Sequence, residues 1–138
     1  MTVPFHLAFP VADLEETERF YSGVLGFPVG RRAEKWIDFD MGGNQISAHL
    51  RPEEVGTVRT NSVDGDAVPV RHFGLVLAWK DWHSLAARLQ DSDTSFVIEP
   101  RVRFEGEVGE QATLFILDPS GNALEFKSFK DLGQLFAQ

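Results

Sequence analysis

The segment His72-Phe73-Gly74-Leu75-Val76-Leu77 restarts a pattern first met in His6-Leu7-Ala8-Phe9-Pro10-Val11. Histidine falls on histidine, Leu7 on Phe73, Ala8 on Gly74, Phe9 on Leu75 and Val11 on Leu77, so apolar matches apolar and small matches small. A second match, Gly43-Asn44 with Gly121-Asn122, carries the correspondence toward the end of each half, the later half having gained residues in its 102–110 connection. Such self-similarity marks one supersecondary unit used twice. Neither copy can bury both faces of its own sheet, so two copies close on each other, within the chain or across a dimer.

Working outward from this repeat, each half reads as strand, helix, then three strands. Residues 3–11 are β-rich and apolar, and Asp13 followed by Glu16 forms a capping box that opens a helix. Leu14, Thr17, Phe20, Tyr21, Val24 and Leu25 give that helix one apolar stripe, and Gly26 ends it. Strand-like runs follow at 28–33, 35–40 and 44–50, with Gly42-Gly43 as a turn. Residues 51–70 are polar and turn-rich, with Pro52, Gly56, Asp64-Gly65 and Pro69, and read as a linker. The pattern then resumes with a strand at 71–79 and a helix opened by Asp81, with Trp82, Leu85, Ala86 and Leu89 at i, i+3, i+4 and i+7. Strands follow at 96–104, 111–117 and 122–129, with Asp118-Pro119-Ser120-Gly121 a tight turn. The expected organisation is one α+β domain over 1–138, made of module 1 (1–50), a linker (51–70) and module 2 (71–138).

Composition narrows the function. At 138 residues, and with roughly 100–200 residues per domain, the chain holds one domain or two small halves sharing a core. No apolar run approaches the ~18 residues of a membrane span. A net charge of −8 with no basic cluster gives nucleic acid and anionic membranes no electrostatic footprint, so neither is an expected partner. With no cysteine, thiolate nucleophiles, disulfides, Cys-type zinc sites and iron–sulfur clusters are excluded, and a metal would be held by His and carboxylate. The start, Met1-Thr2-Val3-Pro4-Phe5-His6, has no secretory pattern, and the expectation is a cytoplasmic enzyme.

Side chains alternate faces along a strand, so parity decides which residues meet. His6 and Ala8 oppose Phe5, Leu7 and Phe9; His72, Gly74 and Val76 oppose Phe73, Leu75 and Leu77; Gln45, Ser47 and His49 oppose Ile46, Ala48 and Leu50; Ala123 and Glu125 oppose Leu124 and Phe126. Each strand thus has a bulky apolar face and a second face that carries a His or Glu among smaller groups. Two imidazoles and one carboxylate, His6, His72 and Glu125, form a facial set suited to Fe(II) and also to Mn(II), Ni(II) or Zn(II), with positions left open for substrate or oxygen. His83 lies off its helix's apolar stripe and reads as a solvated surface residue. His49 fits three roles: fourth ligand, hydrogen-bond donor behind the ligands, or pocket wall. The Gly-Asn match places Ser47, rather than His49, opposite Glu125.

These residues resemble a family. His6-Leu7-Ala8, Asp13-Leu14 with Arg19-Phe20-Tyr21 and Leu25-Gly26-Phe27, His72-Phe73-Gly74 and above all Asp118-Pro119-Ser120-Gly121-Asn122-Ala123-Leu124-Glu125 are similar to the vicinal oxygen chelate superfamily. That superfamily includes glyoxalase I, fosfomycin- and bleomycin-resistance proteins, methylmalonyl-CoA epimerase and extradiol dioxygenases. The resemblance covers nearly the whole chain and implies two βαβββ modules forming a U-shaped mixed sheet around a divalent metal. It places the ligands on His6, His72 and Glu125, with His49 at the fourth-strand ligand position that some members use. Within the superfamily, Trp36-Ile37-Asp38-Phe39-Asp40, Ala48-His49-Leu50, Val68-Pro69-Val70 and the 103–111 loop resemble small extradiol-type dioxygenases. The shared chemistry is bidentate chelation of vicinal oxygens by the metal acting as Lewis acid. Three protein ligands favour a dioxygenase on a catechol-like or vicinal-diol substrate, and four favour a glyoxalase-type lyase or isomerase. A metal-free, ligand-sequestering resistance-type protein is the non-enzymatic alternative. In the loop ahead of the seventh predicted strand, Arg103 is a candidate anchor for a substrate carboxylate and Glu110 a candidate base. Fe2+ is the expected metal, with Mn2+, Ni2+ or Zn2+ as alternatives, and a homodimer the expected assembly.

Overall fold

Two parallel neighbouring strands cannot be joined by a tight turn, and the crossover they require organises the first half of the chain. In the computed structural model, which describes residues 3–56, 59–63 and 65–138, β1 (His6–Val11) runs parallel to β4 (Asn44–Leu50). The register sets His6 opposite Gln45, Ala8 opposite Ser47 and Pro10 opposite His49. Between them come α1 (Leu14–Glu18), β2 (Val29–Ala33) and β3 (Trp36–Met41), giving a sheet of order β1-β4-β3-β2. Asp13 caps α1 as expected, its side chain accepting from Glu16 N–H at 2.8 Å. Beyond α1, Arg19–Val24 form a π-helical turn in place of continued α-helix, with Leu25 N–H donating to Phe20 O. Apolar spacing cannot separate an α-turn from a slightly wider one over so few residues. Gly26, at φ +80°, ends the helical segment. The faces follow the predicted parity: Phe9, Val11, Ile37, Phe39, Ile46 and Ala48 are buried.

This first unit also contains the turn Asp118–Asn122. Asp118 Oδ1 accepts the backbone N–H groups of Ser120 and Asn122, and Oδ2 accepts the Tyr21 hydroxyl at 2.8 Å and Asn122 Nδ2 at 2.9 Å. Ser120 Oγ accepts from Ala12 N–H, and Asn122 Nδ2 donates to Pro10 O. Tyr21 is fully buried between the Phe9 and Phe39 rings, which makes it a core residue. Burial pushes its phenol well above the usual range, and the Asp118 charge adds to that shift. Burial likewise raises the Asp118 carboxyl, against the pull of its four hydrogen bonds.

The second unit holds β5 (Arg59–Val63), β6 (Asp66–Val70), β7 (Phe73–Val76), α2 (Trp79–Gln90), β8 (Ser95–Arg103), β9 (Gln111–Leu117) and β10 (Ala123–Phe129). Its main sheet has order β7-β10-β9-β8, with β7 and β10 parallel, so the βαβββ plan is used twice in an α+β fold. Three differences from the expectation stand out. Half of the expected linker at 51–70 is a hairpin, β5 with β6, in which Val63 pairs with Asp66. The Asp-Gly pair is the overlooked signal for it, although Asp64 lies outside the described residues. The strand expected at 71–79 is confined to Phe73–Val76, which leaves His72 one residue ahead of it. Helix α2 begins at Trp79 rather than Asp81, because Ala78 takes the cap position and Asp81 acts inside the first turn, where its charge meets the helix dipole. Its predicted stripe, Trp82, Leu85, Ala86 and Leu89, is buried, and Trp82 Nε1 donates to Phe126 O at 2.8 Å.

The register of β7 and β10 sets Gly74 opposite Glu125. Under the sequence match this is the same pair as Ala8 and Ser47, so both halves keep one register. At Gly74 the strands come so close that a Cβ would lie 1.5 Å from Glu125 O.

Two predictions follow from this packing. Tyr21→Phe removes one of four donors to a buried carboxylate and is expected to cost about 1–3 kcal/mol in urea unfolding. Tyr21 is the sole tyrosine. Its unfolded phenol titrates near pH ~10 while the folded form keeps its proton higher, so the unfolded state binds fewer protons above pH ~10 and stability falls as pH rises there. The phenolate absorbance should therefore appear only together with loss of the near-ultraviolet dichroism, and Tyr21→Phe should lack this alkaline limb; phenolate in the folded chain overturns the assignment. Gly74→Ala must push β7 from β10 and should lower stability by about 1–3 kcal/mol or more, whereas an unchanged urea midpoint refutes the close approach.

Candidate metal centre

Pairing β7 with β10 brings together residues far apart in sequence. His72 Nε2 lies 3.3 Å from Glu125 Oε1. On the far side of the ring, His72 Nδ1 is 2.5 Å from Pro69 O, and since a carbonyl only accepts, Nδ1 carries the proton. Nε2 is thereby turned toward the carboxylate, whose other oxygen, Oε2, accepts from the Thr113 hydroxyl at 2.7 Å. Phe115 meets the imidazole edge to face at 4.9 Å and holds the plane of the ring. An imidazole nitrogen and a carboxylate oxygen that face each other need a proton or a cation between them.

The donor set fits a divalent metal. Ligating histidines characteristically donate the second ring N–H to a carbonyl or carboxylate, and ligating carboxylates are themselves hydrogen-bonded. With metal–ligand bonds of roughly 2.0–2.2 Å, adjacent ligand atoms stand about 3 to 3.5 Å apart, the spacing seen here. Among the described residues, no three His, Asp or Glu side chains gather so as to hold a metal ion, and His72 with Glu125 is the predicted pair that comes together. His6, the remaining predicted ligand, stands exposed at the start of β1 in the first unit.

In that first unit, the position matching Glu125 is Ser47. Its hydroxyl donates to Asp38 Oδ1 at 2.5 Å, and Gln45 Nε2 donates to Asp38 Oδ2 at 3.0 Å. Asp38 and Ser47 are both buried. A cavity of about 280 Å³ opens beside this cluster, lined in part by Gly30, Arg31, Asp38, Asn44 and Gln45. His49 is exposed one pleat beyond Ser47, and lines a separate cavity of about 250 Å³ with Phe9, Arg51 and Glu54. His83 is exposed on α2 beside the Trp79 and Trp82 rings.

The 104–110 loop is more ordered by its own contacts than its charge suggests. Glu110 is buried, with Oε1 accepting from Gly106 N–H at 3.0 Å and facing Lys130 Nζ at 3.6 Å. Arg103 lies over the Phe104 ring at 4.9 Å. Sequence reasoning passed over Thr113, Lys127 and the Asp38–Ser47–Gln45 cluster, although parity from Glu125 would have placed Lys127 on the ligand face.

Comparison with known proteins agrees with this fold. Residues 4–126 match the family model of the Glyoxalase/Bleomycin resistance protein/Dioxygenase superfamily. The crystal structure of a glyoxalase/bleomycin resistance protein/dioxygenase from Alicyclobacillus acidocaldarius is similar at a TM-score of 0.80 and 32% identity, over 98% of this chain and 97% of that one. Virulence protein STM3117 of Salmonella typhimurium is 24% identical over 90% of this chain and 82% of its own length. The fosfomycin resistance protein FosX of Listeria monocytogenes shares the fold at a TM-score of 0.70 and 16% identity, over 93% of each chain. With two βαβββ modules and a family match across most of its length, the chain belongs to the glyoxalase/bleomycin resistance/dioxygenase superfamily.

Proposed function

We propose that this chain is a metal-dependent enzyme in which His6, His72 and Glu125 hold one divalent ion, Fe2+ in first place, and that it acts as an extradiol-type dioxygenase on a small catechol-like or vicinal-diol substrate. The observation that supports the reading is the facing of His72 Nε2 and Glu125 Oε1, each already oriented from behind by Pro69 O and by Thr113. When bound, the ion supplies Lewis-acid chemistry, drawing together and polarising two adjacent substrate oxygens. The protein's own groups do the rest. Pro69 O fixes the His72 tautomer, and Thr113 keeps Glu125 from turning away. His49 is assigned a hydrogen bond to the substrate, because its displacement by one pleat, ~6.6 Å, removes it from ligating reach. Arg103 supplies positive charge from the end of β8 rather than from the loop where the sequence placed it, and Glu110 serves as base when it exchanges its bond to Gly106 N–H for one to the substrate.

The reading is tested by metal analysis of protein purified without chelator. The wild-type chain should carry one divalent ion per site and His72→Ala none; unchanged occupancy in that variant overturns the ligand assignment. His49→Ala should keep its metal and lose about 10²-fold or more in turnover. Loss of metal as severe as in His72→Ala makes His49 a fourth ligand and moves the reaction to lyase or isomerase chemistry. The same reading has the protein as a homodimer, and a monomer by light scattering at micromolar concentration counts against it.

A further inference from the structure

Beyond Glu125 on the same face of β10 stands Lys127, one pleat repeat or about 6.6–6.8 Å along the strand. The alternate positions Leu124, Phe126 and Ser128 are fully buried on the opposite face, so the half-buried Glu125 and Lys127 share the outward one. The cross-strand register extends this position into a row: Lys127 pairs with Thr113 on β9, and Thr113 with Arg101 on β8. The neighbouring row, Ile98, Phe115, Glu125 and Gly74, is the one that carries the ligand. A cationic row therefore lies beside the row of the metal centre, in a chain whose net charge is −8.

The charges of this row do not cancel. Arg101 pairs through Nη2 with Asp66, while its buried Nε has no hydrogen-bond partner among the described residues. Lys127 forms no ion pair among the described residues. The row as a whole keeps one positive charge, held by an ammonium whose partial burial weakens its screening by water. One uncompensated charge suits a monoanion.

Resting on the metal-centre reading, we propose that Lys127, with Arg101 behind it, binds a carboxylate of the substrate. The substrate class is then an organic acid whose two vicinal oxygens lie about one pleat repeat, ~6.6 Å, from its carboxylate.

The test uses Mn2+-loaded protein and two probes with identical chelating oxygens, catechol and 3,4-dihydroxybenzoate, titrated calorimetrically. Wild-type protein should bind the carboxylate-bearing probe about tenfold more tightly than catechol. Lys127→Met should bring the ratio of the two affinities to about one, and Lys127→Arg should restore it in large part. Far-ultraviolet dichroism and manganese stoichiometry, measured on the same samples, identify a variant that fails to fold. Equal affinities in the wild-type protein, a preference that survives Lys127→Met, or bound manganese with neither probe bound overturns the carboxylate assignment. A wild-type protein that takes up no manganese instead overturns the metal reading beneath it, so the two failures are distinct.

Discussion

In each half of this chain the first strand lies parallel to the last, and the second copy tightens that pairing at Gly74. Parallel neighbours must be connected by a crossover, so the partner of His72 is not a near residue in sequence but Glu125, at the far end of the module. A side chain at 74 would collide with the Glu125 carbonyl, and only glycine lets the two backbones meet there. The His–Glu pair thus depends on a residue with no side chain. Pro69 O, Thr113 and Phe115 then remove the freedom left to the imidazole and the carboxylate.

The fold was largely legible because its signals are local or repeated. Alternation in residues 6–11, 44–50 and 123–129 assigned the correct buried face in each strand, and the capping Asp13, Gly26 and the stripe through Trp82 and Leu89 placed the helices. What escaped were features set by tertiary contact. The π-turn at Arg19–Val24 has no distinct apolar period. The hairpin within 59–70 alternates too weakly to compete with the reading of its Pro and Gly residues as a linker. The role of Asp118 as acceptor of the Tyr21 hydroxyl depends on a partner almost a hundred positions away, which no window of sequence reveals.

The site was legible to a different degree. His72 and Glu125 were named from parity and from the repeat, and the structure brings them together. The groups that orient them, Pro69 O and Thr113, were not named, because a carbonyl carries no sequence signal and a threonine on a strand is ordinary. Glu110 was named as a candidate base, but its contacts within the loop were not. It is buried and holds its own loop through Gly106 N–H, a contact set by the turn of the loop rather than by its charge.

The two halves have kept the same register and changed their chemistry, and this asymmetry bears on the number of metal ligands. Glu125 in the second module corresponds to Ser47 in the first, and Lys127 to His49. Ser47 gives its proton to Asp38 at 2.5 Å, and Gln45 satisfies the other Asp38 oxygen, so this cluster is complete without a cation. A buried serine already committed to a carboxylate is a poor ligand for a divalent ion. Of the positions in the first module that match those of the His72–Glu125 pair, His6 is the one whose side chain suits ligation, in keeping with the three-ligand proposal. His49 stands at the position that carries Lys127 in the other copy, and both are proposed to meet substrate rather than metal. The shared register and the completed Asp38–Ser47–Gln45 cluster therefore argue for the proposed three-ligand centre over a four-ligand one.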